Sequence, residues 1–209
     1  MRSKSLSEIF DNWGTDKGQC AEGQLGEAEA HGYSGLYECL FYSNRSEIRT
    51  VLEIGIGTLI PDAPSTMVGW ALPGYRPGGS LRAWREYFEN ATIFGLDIQP
   101  DTQFADESRI ITRLCDSRNE AAVRAVMQDP AFPAKFDIII DDASHRSADQ
   151  IATLRNFFPY VAERGFYILE DISIGAFQQL VVPVKAICGD NPFFFLGPCN
   201  NVLVVMRRD

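Results

Sequence analysis

The chain has 209 residues, 45% of them hydrophobic and 22% charged, which fits one globular domain with an ordinary core and excludes disordered and collagen-like classes. Its 19 basic and 28 acidic residues give a formal charge of −9. That balance argues against general affinity for nucleic acid, whose backbone demands a basic face, and equally against an anionic membrane surface.

Residues 1–18 carry no apolar stretch of signal-peptide length, and no apolar run elsewhere is long enough to span a bilayer, so the chain reads as soluble and cytoplasmic. Residues 6–13 read as a short helix and 33–44 as another, separated by GTDKGQCAEGQLGEAEAHG, which is too polar to be core. The first strand is 50–57. The proline- and glycine-rich stretch 58–78 that follows has the length of a functional loop. In a helix over 80–90, Leu81, Trp84, Tyr87 and Phe88 share one stripe and form its core face. Strands at 92–97, 109–114, 136–140 and 165–169 then alternate with helices at 119–128 and 147–161, the pattern of a parallel sheet with helical crossovers. Residues 176–182 lack a clean apolar stripe and make at most a short helix, broken or kinked at Pro183. Strands at 192–196 and 201–206 are joined by only 197–200, so they pair antiparallel, with Phe193, Phe194 and Phe195 as edge-strand core or an oligomer contact. Five scattered cysteines (Cys20, Cys39, Cys115, Cys188, Cys199) without a C-x-x-C spacing read as reduced, mostly structural thiols.

Chemistry concentrates where strands end. The apolar run Ile138-Ile139-Ile140 stops at Asp141-Asp142-Ala143-Ser144-His145, two carboxylates and one of only two histidines. Tyr167-Ile168-Leu169 stops in the same way at Glu170-Asp171. Neighbouring parallel strands would gather up to four carboxylates and an imidazole at the sheet edge where open α/β folds bind ligands. Clustered carboxylates favour a hard divalent cation, magnesium or calcium, and leave the histidine to act as a base. A single acidic pair is more often a helix cap or an ion pair; two coinciding pairs reverse that preference. Glu53-Ile54-Gly55-Ile56-Gly57 offers a Cβ-free turn to a cofactor, although Ile60 stands where the third glycine of a dinucleotide fingerprint belongs. Asp97 ends the next strand, where such folds place a carboxylate on the ribose hydroxyls. Asp116 and Ser117 follow the third strand, able to read an adenine edge or simply to cap the next helix. His31 covers a cofactor or serves as a surface cap, and Asp16 and Lys17 pair locally in a solvated turn.

Together, Gly14-Thr15-Asp16-Lys17, His31-Gly32-Tyr33, the Glu53 to Gly57 motif, Gly79-Ser80-Leu81-Arg82 with Trp84, Asp97, Asp116, the Asp141 to His145 segment and Glu170-Asp171 make a specific ensemble. It resembles the class I S-adenosylmethionine- and magnesium-dependent O-methyltransferases that act on sugars of macrolides and other glycosylated natural products. The resemblance implies an α/β, Rossmann-like methyltransferase fold in one domain over 1–209. Its sheet would be mostly parallel and seven-stranded, with helices on both faces and a C-terminal antiparallel hairpin. It implies magnesium on Asp142, Glu170 and Asp171, and His145 as general base. It implies S-adenosylmethionine among Tyr33, Glu53, Gly55, Gly57, Ser80, Asp97, Asp116 and Ser117. The acceptor would be a small molecule, a sugar or glycoside, in a pocket closed by the N-terminal segment 1–48 and the loop 58–78, neither of which looks able to pack as core. A homo-oligomer is compatible with all of this.

The chain also departs from the family pattern. Ala143 and Cys115 stand where the family has glycine, which predicts a less permissive backbone there. The loop 58–78 is longer than in the macrolide enzymes, and no separate N-terminal auxiliary domain is expected. A branch resembling cephalosporin hydroxylase-like proteins shares the acids, so a non-methylating protein that binds cofactor and metal is the alternative. A nicotinamide-dependent oxidoreductase is disfavoured by the missing third glycine and the terminal hairpin.

Overall fold

The structure, a computed structural model, describes residues 4–18, 32–63, 66–69, 75–104, 107–172, 174–196 and 202–207. Cys20, His31, Cys199 and the connection 197–200 lie outside them. Helices α1 (Leu6–Asn12) and α2 (Ser34–Phe41) precede β1 (Thr50–Ile54), α3 (Gly79–Tyr87), β2 (Thr92–Asp97), β3 (Ile110–Leu114), α4 (Glu120–Met127), β4 (Phe136–Asp141), α5 (Ser147–Phe157), β5 (Val161–Ile172), α6 (Phe177–Cys188), β6 (Phe193–Leu196) and β7 (Val202–Arg207). The sheet order is β3-β2-β1-β4-β5-β7-β6, with β1 to β5 parallel and β7 antiparallel both to β5 and to β6.

Strand residues point alternately to the two sides of a sheet, so this one has two apolar faces. Val51, Ile93, Ile138, Ile140 and Ile168 join one buried cluster with α1, α2 and α3, whereas Leu52, Phe94, Ile139, Tyr167 and Leu169 join the other with α4, α5 and α6. No helix among the described residues is long and apolar enough to cross a membrane.

The N-terminal segment corrects one expectation. Leu6, Ile9 and Phe10 of α1, Tyr33 just before α2, and Tyr37 and Phe41 within it are all buried. Their spacing of three and four places them on one helical stripe each, and Phe10 and Tyr37 both meet the Trp84 ring edge-on at 4.8 Å. Each such side chain contributes about 1.5–3 kcal/mol by leaving water, so these helices are core rather than a loose cover. A capping box between Ser5 and Glu8 starts α1.

The strand that carries Glu170 and Asp171 is also longer than expected. β5 continues through both acids, and its pairing with β7 shifts register between Leu169 and Ile172. α6 continues through Pro183 and is not broken there. Its buried stripe, Leu180, Val184 and Cys188, straddles the proline, so a window ending before it sees only half of the pattern. The preceding helix stops earlier than its periodicity suggests, because Pro159 sits in a 3₁₀ turn between α5 and β5.

Candidate active site

Register puts the ends of the central strands level. Ile54 pairs with Asp141, and Asp141 with Leu169, so Gly55, Asp142 and Glu170 each lie one residue beyond the same row. A cavity of about 220 Å³ opens there, lined by Gly55, Asp97, Asp116 and Ser117, and also by Arg118 and Ala143. Four of the eight expected cofactor residues therefore come together. Tyr33, Glu53, Gly57 and Ser80 do not line this cavity.

Asp97 is buried and accepts the Ile56 and Gln99 amides, each at 2.8 Å. Burial raises its pKa despite those bonds. Asp116 accepts both Arg118 Nε (2.9 Å) and Arg118 Nη2 (3.0 Å), and this pairing lowers its pKa. The Ser117 hydroxyl lies 2.9 Å from that of Thr153. Neither Asp116 nor Ser117 caps α4; Asn119 does, accepting the Ala121 and Ala122 amides. Cys115 and Ala143 are not among the non-glycine residues with positive φ, so a glycine is not needed at either. Glycine is needed at position 55, where φ is 92° and a Cβ would come 2.1 Å from the Asp142 carbonyl oxygen. The turn thus makes room for the neighbouring strand as much as for a cofactor. Gly57 (φ 82°) instead makes room for the Tyr75 hydroxyl, which donates to the Ile56 carbonyl at 3.1 Å.

Beside the cavity, ligand atoms of Asp142, His145 and Asp171 lie within 4.8 Å of one another. His145 Nε2 is 3.4 Å from Asp142 Oδ1 and 3.3 Å from Asp171 Oδ2. Asp171 adopts φ 52°, left-handed backbone inside a strand, which turns its carboxylate at the register shift. The Tyr33 hydroxyl, expected at the cofactor, donates to Asp171 Oδ1 at 2.6 Å. Glu170 is fully buried one residue earlier and accepts from Lys17 and from the Tyr37 hydroxyl. Asp141 turns away to accept the Tyr167 hydroxyl at 2.9 Å, because successive strand residues face opposite sides, and burial raises its pKa to about 7. The fourth carboxylate is Glu53. Its Oε2 accepts Trp84 Nε1 at 2.9 Å, its Oε1 is buried without a hydrogen-bond partner, and burial raises its pKa to about 7. Ser80, buried at the start of α3, works against that rise.

Lys17 is the residue that sequence reasoning misplaced. Far from a solvated turn, it is 2% exposed, and its Nζ lies 2.7 Å from Asp142 Oδ2, against Glu170, and 3.7 Å from Glu53 Oε1. Burial disfavours its charge, but Asp142 and Glu170 more than restore it, so it stays cationic. Burial likewise works against the Asp142 carboxylate, yet Lys17 and His145 hold it well below the usual range. The hydrogen bond to Asp142 raises His145 to about 9. The two carboxylates, partly open to solvent, suit a hard divalent cation and leave the imidazole beside it free as a base, so the residues present fit such an ion.

No protein-family model matches the chain. Over 142 residues, 68% of this chain and 32% of the relative, it is 38% identical to 8-demethyl-8-(2-methoxy-alpha-L-rhamnosyl)-tetracenomycin-C 3'-O-methyltransferase of Streptomyces olivaceus. Demethylmacrocin O-methyltransferase of Streptomyces fradiae is 34% identical over the same shares. The chain thus spans about a third of the length of the curated relatives it matches. Among solved structures, MycE methyltransferase of the Mycinamycin pathway, in complex with Mg and SAH, superposes with a TM-score of 0.70 at 25% identity, over 99% of this chain and 56% of that one. By sequence the chain is thus similar to part of these sugar O-methyltransferases, and its fold is the Rossmann-like methyltransferase fold.

Proposed function

We propose that this protein is an S-adenosylmethionine-dependent O-methyltransferase that modifies a sugar hydroxyl of a glycosylated natural product, assisted by a divalent cation. The observation that carries this reading is the adjacency of the cavity at Gly55, Asp97 and Asp116 to the cluster of Asp142, His145 and Asp171, the two joined through Ala143. A cofactor in the first would face an acceptor at the second. The relatives named above are O-methyltransferases of rhamnosyl and macrolide compounds, and a second MycE complex holds Mg, SAH and Mycinamycin VI, which supports a glycoside acceptor here.

When bound, S-adenosylmethionine supplies an electrophilic methyl group, and a divalent cation polarises and orients an acceptor hydroxyl. Asp142 and Asp171 would hold that cation. Glu170, the third expected ligand, faces the Lys17 and Tyr37 donors and would join the ion only by sharing an oxygen with one of them. Asp97 would take the ribose, and Asp116, braced by Arg118, would lie near the base. His145, side chain 55% exposed at the mouth of the cluster, would take the hydroxyl proton as the methyl group transfers.

Calorimetry with S-adenosylhomocysteine, followed by mass-spectrometric assay on rhamnosyl and deoxyhexosyl glycosides with magnesium or chelator, tests the reading. Binding weakened by Asp97→Ala, with magnesium-dependent gain of a methyl group, is expected. Binding of cofactor and cation without transfer to any glycoside would favour a non-methylating member instead.

A further inference from the structure

The oxygens of the acid cluster fall into two sets. Asp142 turns Oδ2 inward to Lys17 and Oδ1 outward to His145. Asp171 turns Oδ1 inward to the Tyr33 hydroxyl and Oδ2 outward to His145. Glu170 faces wholly inward, between Lys17 and Tyr37. The inner donors all come from the N-terminal segment, more than 100 residues away in sequence.

Lys17 is the only one of these donors that brings a charge. Three carboxylates, of Glu53, Asp142 and Glu170, converge on its single ammonium, and the lysine, Glu53 and Glu170 side chains are at most 3% exposed. A buried ammonium persists only where carboxylates repay its lost hydration, and carboxylates this close persist only with positive charge between them. That single ammonium offsets part of the negative charge that the three acids can carry. A dication arriving there meets a cluster whose negative charge has already been partly cancelled.

We propose that Lys17 is a built-in counter-cation: it keeps the acid cluster assembled when no divalent ion is bound, and it weakens the cluster's hold on that ion. The second half rests on the reading that a cation occupies the outer oxygens. The lysine makes the site a place of loose, exchangeable cation binding, where an unrelieved acid cluster would bind more tightly but stand less well alone. This is a positioning role, since Lys17 is buried and acts through Asp142 and Glu170.

The test uses the full chain as wild type, as Lys17→Met and as Lys17→Met with Glu170→Gln. Thermal unfolding is followed in chelator and in excess magnesium, and manganese binding is followed by electron paramagnetic resonance. In chelator, Lys17→Met should melt roughly 6–20 °C below wild type, the scale expected when one partner of a buried ion pair is removed from a chain of this size. The added Glu170→Gln change should recover at least half of that loss. Lys17→Met should bind manganese roughly tenfold more tightly than wild type and gain more from magnesium, because one competing positive charge is gone. Equal manganese affinity and an equal magnesium-dependent shift in both proteins would overturn the proposal and leave Lys17 as mere packing. If the single variant does not fold, the double variant decides: folding in chelator upholds the charge-balance role, and failure overturns it. A wild type that binds no manganese defeats the cation reading and the second half with it, while recovery by the double variant would still uphold the first.

Discussion

At the scale of residues, His145 presents a conflict that the proposed cation would resolve. The bond to Asp142 raises its pKa to about 9, so without a cation the imidazole is protonated at neutral pH and accepts no proton. Positive charge on the outer oxygens of Asp142 and Asp171 disfavours imidazolium and moves the pKa down. Because the folded value lies above the unfolded one of about 6.5, protonated His145 contributes stability that is complete below that pH and is lost as pH rises through about 9. The chain has two histidines, so nuclear magnetic resonance resolves this titration. We expect a midpoint near 9 in chelator and a lower one in magnesium; an unmoved midpoint would put the cation elsewhere. His145→Ala should keep S-adenosylhomocysteine affinity and lose roughly 10²- to 10⁴-fold in turnover. Near wild-type turnover in that variant would leave proton removal to solvent. The acids and His145 were legible in the sequence because each follows an apolar run at a strand end. Lys17 was not, because its partners stand 125 and 153 residues away and nothing in Gly14-Thr15-Asp16-Lys17 signals burial.

At the scale of elements, period and proline pull against each other. The alternation of strands and helices from β2 to β5 was legible because apolar residues repeat at two or at three-to-four along it. β5 escaped at both ends. Its start carries exposed Glu163 and Arg164, with Arg164 at φ 63°, and its end carries the acids, so neither flank looks like strand. α6 escaped because Pro183 suggests a break, whereas Leu180 and Val184 hold the helix on the sheet across it. Proline inside a helix forfeits one backbone hydrogen bond and crowds the preceding turn. Pro183→Ala is therefore expected to stabilise the protein by about 1–3 kcal/mol, a rise of about 2–4 °C in melting midpoint for each of those. A lower midpoint would mean that the half-buried ring contributes more by packing than it costs the helix.

At the scale of the whole molecule, the sheet does the assembling. Its two faces are covered by helices from the two halves of the chain, and its strand ends bring residues 17, 53, 97, 142 and 171 into one region. That the central strands run parallel followed from the sequence pattern, since strands alternating with helices are joined by crossovers. Contacts between the N-terminal segment and the strand ends did not, since they depend on three-dimensional closure rather than on any local period.

One contact in that region would tie the two proposed ligands together. The Gly55 turn bounds the cofactor cavity, and its missing Cβ leaves the space that the Asp142 carbonyl fills, while the Asp142 amide donates to the Ile54 carbonyl at 2.8 Å. Movement on either side is thus transmitted through shared backbone. Binding at the two places would then be thermodynamically linked, and linkage is reciprocal: whatever factor magnesium applied to S-adenosylhomocysteine affinity, the cofactor product would apply to magnesium affinity. Gly55→Ala, a change of one methyl group, should consequently weaken both ligands. Calorimetry of each in the presence and absence of the other measures the coupling, and a Gly55→Ala protein that lost cofactor but kept full cation affinity would show the two sites to be independent.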